Sequence, residues 1–148
     1  MLLKTQKKLT LLFLLSAGIS SGCKKNSPVN AGVPNVAVNA TVNVSTNASL
    51  QTIGGWGYVF GGYDNIIVFC NAQDSYLAFD RGCPYDCTTN SKAVLNVQAG
   101  GITAKCPVCG TTYSLYSGTI TSNGPGTLAL KQYTINYSNY PPLIYISN

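Results

Sequence analysis

Histidine is absent from the 148 residues, and so is glutamate; the acidic side chains are four aspartates. Without histidine the chain has no side chain that ordinarily titrates near neutral pH, which removes the usual general base and proton shuttle. No imidazole is available to a metal either. Charged residues make up only 9% of the chain, and no nucleophile stands beside a plausible activating partner. Asp80 and Asp86 flank a pair of cysteines but read as two surface carboxylates rather than an acid–base pair. Hydrolytic and group-transfer chemistry are therefore not expected, and the chain does not read as a catalyst in its own right. A redox role, if present, would be that of an electron carrier.

Long apolar runs are also missing. The one candidate, Leu9–Ala17, follows the lysines of Met1–Lys8 and is far shorter than the roughly 20 residues that span a bilayer as a helix. Its length suits the core of a signal peptide. The run leads into Ile19-Ser20-Ser21-Gly22-Cys23, which resembles a bacterial lipobox; the alternative is an ordinary signal peptide with an incidental cysteine. The expectation is a signal peptide over 1–22, lipidation at Cys23, and a polar Pro-containing tether over 23–35. The protein is thus expected in the bacterial cell envelope, held to the membrane surface by its lipid. Cleavage would leave Lys24, Lys25, Arg81, Lys92, Lys105 and Lys131 against the four aspartates. The folded part is then nearly neutral, without the concentrated basic face that nucleic acid binding needs.

From residue 36 onward the pattern is that of strands. Val36, Val38, Val42 and Val44 alternate with polar residues. Thr52–Phe60 reads as a second strand punctuated by glycine, and Gly61–Asn65 as a turn. Ile66–Cys70 and Tyr76–Phe79 form a hairpin across Asn71–Ser75. Further strands are expected over Ala93–Val97, Ile102–Ala104, Tyr113–Tyr116, Thr119–Thr121, Leu128–Tyr137 and Leu143–Ile146. Helical periodicity is missing outside the leader, and Val, Ile, Thr and Tyr dominate. An all-β domain over 36–148 follows. Its many tyrosines read as core and sheet-surface packing, and Cys70, on an apolar strand, as core packing too.

What the chain does have is cysteine in pairs. Cys83-Pro84-Tyr85-Asp86-Cys87 and Cys106-Pro107-Val108-Cys109-Gly110 are two loops separated by an interval suited to gripping one centre. A tight C-x-x-C turn brings both sulfurs to one side, lets backbone N–H groups reach the thiolates, and uses the following glycine for a positive φ. Four thiolates, Cys83, Cys87, Cys106 and Cys109, suit tetrahedral zinc or an iron–sulfur cluster.

The segments YLAFDRGCPYDC (76–87), CPVCGTTY (106–113) and GPGTLALKQY (124–133) resemble the Rieske family in order and spacing, over roughly residues 36–137. The resemblance implies a Rieske-like fold: small antiparallel sheets with two cysteine loops at one end. It also implies a [2Fe–2S] centre, an electron-transfer ancestry and a protein partner whose identity the sequence does not give. Cys83 and Cys106 match the family's ligand cysteines. Tyr85 and Cys109 stand where its two ligand histidines would be, so the family's mixed ligand set is impossible here. An iron–sulfur cluster would need Cys87 as a fourth thiolate ligand, and it would lack the high potential that histidines confer. The leader has no twin arginine, which points to export as an unfolded chain, and zinc needs no assembly machinery outside the cytosol. The envelope is oxidising, and related Rieske domains carry a disulfide between the same two loops. Zinc, a [2Fe–2S] cluster and disulfides without metal all stay open, and with them a non-redox interaction module stapled by structural zinc or disulfides.

Overall fold

A computed structural model describes residues 32–122 and 124–148. The expected signal peptide, Cys23 and most of the tether lie outside the described residues. Two antiparallel sheets carry ten strands. The larger contains β1 (Asn39–Asn43), β2 (Trp56–Val59), β3 (Ile66–Ala72), β4 (Ser75–Asp80), β9 (Gln132–Asn139) and β10 (Pro142–Ser147), in the order β1-β10-β9-β4-β3-β2. The smaller contains β5 (Asn96–Val97), β6 (Thr103–Lys105), β7 (Thr112–Ser114) and β8 (Ile120–Ser122), in sequential order. Helical structure among the described residues is limited to the short 3-10 turns Val44–Thr46 and Ala48–Gln51.

Strand β3 shows how the core is organised. Ile66 through Cys70 are all buried, a continuous apolar run of the kind a strand covered on both faces requires. Its side chains alternate between two clusters. Ile66, Val68 and Cys70 pack with Val42, Leu50, Tyr133, Ile144 and Ile146. Ile67 and Phe69 pack with Phe79, Leu95, Ala104, Tyr113 and Leu115, in a second cluster that also contains Cys83 and Cys106. Strand β4 divides likewise, with Tyr76 and Ala78 in the first cluster and Phe79 in the second.

The expected strands are present; β3, β4 and β10 run a residue or two longer than expected, whereas the first two start later, for local reasons. Val36 and Val38 precede the ladder because the side chain of Asn148 takes its place. That amide donates to the Val36 carbonyl (2.7 Å), and its oxygen accepts from Val38 N–H (2.8 Å). Val44 leaves β1 because the Asn43 side chain caps the first 3-10 turn, accepting from Ser45 N–H at 2.9 Å. The run from Thr52 becomes strand only at Trp56. Gly55 passes so close to the second 3-10 turn that a Cβ would lie 1.6 Å from the Ser49 carbonyl oxygen. At the start of the described chain, the Lys131 ammonium donates to the Pro34 carbonyl (2.7 Å) and to Asn35 (3.1 Å). The last residues assigned to the tether are thus held against the domain.

Candidate metal centre

Strand β4 ends at Asp80, whose carboxylate is fully buried. It accepts from Tyr63 N–H (2.7 Å), Gly82 N–H (2.7 Å), Asp64 N–H (3.3 Å) and the Tyr133 hydroxyl (2.6 Å). One carboxylate thereby ties the turn Gly61–Asp64, strand β9 and the start of the first cysteine loop together. Gly62, at φ +68°, is required there: a Cβ would stand 2.5 Å from the Asp80 carboxylate. The aspartate read as an exposed turn residue is a buried hub instead. Burial and the charge of Asp80 both raise the pKa of neighbouring Asp64.

Gly82, hydrogen-bonded to Asp80, precedes Cys83 directly. The Cys83 N–H donates to the Ala93 carbonyl (2.9 Å), and the Cys87 N–H closes the loop onto the Cys83 carbonyl (3.0 Å). The second loop is built the same way. The Cys106 N–H donates to the Thr111 carbonyl (3.0 Å), the Gly110 N–H donates to the Cys106 carbonyl (3.1 Å), and Gly110 adopts φ +79°. Backbone amides approach the sulfurs, that of Tyr85 at Cys83 and those of Val108 and Cys109 at Cys106.

The two loops converge. One ligand atom each from Cys83, Asp86, Cys106 and Cys109 lies within 4.8 Å of all the others. The Cys83 and Cys109 sulfurs are 3.6 Å apart, and the Cys106 sulfur is 3.6 Å from an Asp86 carboxylate oxygen. Cys83 and Cys106 are fully buried and Asp86 is 7% exposed, with Cys109 half-buried at the mouth. Tyr113, also fully buried, places its hydroxyl 3.8 Å from the Cys83 sulfur. Thr111 Oγ1 lies 3.3 Å from the Cys109 sulfur and accepts from Gly126 N–H at 3.2 Å, which brings the Gly-Pro loop over the centre.

Burial pushes the Cys83 thiol far above the ordinary thiol range, against the pull of the Tyr85 amide, and raises Cys106 against its two amides. Burial likewise raises Tyr113, with the Cys83 sulfur adding to the effect. Thiols placed like this ionise readily only when a cation joins them. The clustered ligand atoms of Cys83, Asp86, Cys106 and Cys109 could hold a metal ion.

Three of the four residues expected to form the centre, Cys83, Cys106 and Cys109, come together. Cys87 is not in the converging group. It is buried among the carboxylates of Asp64, Asp80 and Asp86, and its carbonyl accepts from the Tyr63 hydroxyl at 3.5 Å. Burial, then those carboxylates, push its thiol up to about 11. Asp86, read in the sequence as a surface carboxylate, is buried and is the fourth member of the converging group. A signal for it existed: Cys83-Pro84-Tyr85-Asp86 has the same C-P-x-ligand spacing as Cys106-Pro107-Val108-Cys109. Cys70 lies in the first core cluster, away from the centre. The mixed two-cysteine, two-histidine centre of the Rieske family does not fit a chain without histidine.

No protein-family model and no curated protein matches the sequence. Solved structures do. The plasma-membrane Rieske protein PetC3 of the cyanobacterium Synechocystis PCC 6803 superposes with a TM-score of 0.53 at 19% identity, over 75% of this chain and 99% of that one. The ferredoxin of carbazole 1,9a-dioxygenase from Nocardioides aromaticivorans IC177 gives 0.48 at 16% identity, over 76% and 98%. With two antiparallel sheets, paired cysteine loops closing on one another at one end and the superposition on PetC3, the chain has the Rieske fold.

Proposed function

We propose that this protein is an envelope lipoprotein, cut after residue 22 and lipidated at Cys23, that uses the cysteine end of a Rieske fold to hold a thiolate-bound metal. The observation that carries the reading is the convergence of Cys83, Cys106 and Cys109, from two separate loops, into one buried group with a carboxylate. Zinc is the ion that the donor set and the route of export favour. Thiolates bind it strongly, and a chain exported unfolded captures it without assembly machinery. In this role the ion staples two loops in place of additional core, and the domain serves as an interaction module for a protein partner near the membrane surface.

A second reading is supported by one distance. The 3.6 Å between the Cys83 and Cys109 sulfurs is close enough that an oxidising envelope would join them with little rearrangement, leaving the fold stapled by a disulfide. The electron-carrier reading rests on the Rieske neighbours and on iron.

Elemental analysis combined with a free-thiol count, on protein extracted from the native membrane, separates these readings. One zinc per chain with the loop thiols metal-protected supports the proposal. Absence of metal with Cys83 and Cys109 blocked replaces it with the disulfide staple. Iron with a visible spectrum that bleaches in dithionite replaces it with electron transfer. Release of the protein from membranes by a Cys23→Ser substitution tests the anchor separately.

A further inference from the structure

The geometry points to a mononuclear centre whose fourth ligand is the Asp86 carboxylate, not the Cys87 thiol: one metal ion held by Cys83, Cys106, Cys109 and Asp86. This inference rests on the reading that the cysteine end binds metal, and it specifies the ion count and the ligand set that this reading leaves open.

The first argument is the local sequence. CPYD at 83–86 and CPVC at 106–109 are two knuckles of equal length, each offering its first and fourth residues. In a turn of this length the first and fourth side chains emerge on the same side. The fifth, Cys87 in the first loop, is not among the ligand atoms that converge. The Cys87 N–H turns back onto the Cys83 carbonyl, and the Asp86 carbonyl accepts from Thr89 and Asn90 N–H at 3.0 and 2.8 Å. The backbone around Asp86 is thereby fixed while its carboxylate is directed at the Cys106 sulfur.

The second argument is size. A tetrahedral ion with metal–sulfur bonds of about 2.3 Å separates its ligand sulfurs by about 3.8 Å. Here one S···S edge and one S···O edge are each 3.6 Å, and no pair of ligand atoms exceeds 4.8 Å. The four donors thus lie close enough together to hold one ion. A two-iron cluster hangs its ligands in two pairs on different irons with sulfides between them, and it needs those pairs spread apart along the iron–iron axis. The compactness disfavours a [2Fe–2S] cluster for a reason independent of the missing histidines.

The third argument is burial. Asp86 is 7% exposed and its carboxylate lies within 4.8 Å of three thiol sulfurs, a buried grouping of donor atoms that one divalent ion at its centre would join. Three soft thiolates with one hard carboxylate suit zinc, and cobalt(II) as its spectroscopic substitute. The carboxylate is the weakest of the four bonds, and with the half-buried Cys109 it forms the labile side of the centre.

The test uses the whole protein in detergent, stripped of metal, reduced and titrated with Co²⁺ under an inert atmosphere. The wild type and Cys87→Ser are expected to saturate at one ion per chain with the same visible spectrum. Asp86→Asn is expected to bind at least about 10-fold more weakly with a shifted d–d band. Asp86→Cys is expected to restore tight binding and to raise the sulfur-to-cobalt charge-transfer intensity by about a third, as four thiolates replace three. That variant keeps the test decisive if Asp86→Asn folds poorly. Loss of the ion or of the spectrum in Cys87→Ser, or an unchanged spectrum in Asp86→Asn, overturns the ligand assignment while metal binding itself stands. Two ions per chain overturn the mononuclear centre. Failure of the wild type to bind Co²⁺ at all removes the metal reading on which the inference depends.

Discussion

The two faces of β3 meet different kinds of core. On one side Ile66 and Val68 join Val42, Leu50, Ile144 and Ile146, a hydrocarbon cluster whose one thiol, Cys70, bonds only to the nearby Ala72 carbonyl at 3.3 Å. On the other, Ile67 and Phe69 join a cluster that runs without a break into Cys83 and Cys106, and from there to Asp86. The first core is complete on its own terms, because apolar burial scales with the area it removes from water. The second ends in groups that are unfavourable to bury unless something joins them. The same strand thus supports one region dominated by aliphatic packing and one that runs into a group of buried thiols and a carboxylate.

Asp80 stands at the border, and its loss should have the largest effect. Asp80→Ala strands three N–H donors and the Tyr133 hydroxyl in a buried site. A cost of about 3 kcal/mol or more is expected in urea unfolding. Asp80→Asn, which keeps one acceptor oxygen, should cost less. If both variants are mild, the border is not where the two regions are joined.

Next in size is the effect expected from the proposed metal centre. Chelation should lower the melting temperature by on the order of 10 °C. Hydrogen exchange should locate the change: faster in 83–90 and 106–111, little altered in β1, β9 and β10. Uniform loss of protection would mean that the hydrocarbon core also leans on the ion.

A smaller effect should appear in alkali. Burial, with help from Cys70 and Tyr137, pushes the Tyr76 phenol from 10 to about 12. A raised pKa favours the protonated form in the folded state, so its contribution is fully present below pH 10 and disappears as pH rises from 10 to 12. Tyr76→Phe should flatten that limb of the stability profile without abolishing it. Tyr113 and Tyr133, at the thiol end, are also raised by burial. Smallest of all, Cys70→Ala should cost about 1 kcal/mol and leave the metal content unchanged, whereas Cys106→Ser should reduce metal binding.

Much of this was legible in the sequence because it depends on local patterns. The run Ile66–Cys70 and the hairpin it begins follow from apolar periodicity and from the turn residues Gln73-Asp74, the latter at φ 53°. The convergence of two cysteine loops followed from their spacing and from the resemblance of their flanks to the Rieske family. That Asp86 rather than Cys87 lies close to the other three sulfurs was not legible by counting cysteines, since it depends on which way a turn directs consecutive side chains. Knuckle length carried that information where residue type did not. The burial of Asp80 was hidden for another reason: its partners are distant in sequence, Tyr63 becoming a neighbour only when β3 pairs with β4 and Tyr133 only when β9 does. The 3-10 turns at 44–46 and 48–51 are too short to produce a period, and a side-chain cap from Asn43 sets the first.

Strand β3, shared residue by residue between the two cores, leaves the molecule without a seam. A domain made of separable halves can lose one and keep the other, and its calorimetric trace then shows two steps. Here any disturbance that displaces Ile67 or Phe69 also displaces Ile66 and Val68, because they belong to one pleated backbone. Heat absorption should therefore collapse into a single peak whose calorimetric and van't Hoff enthalpies agree.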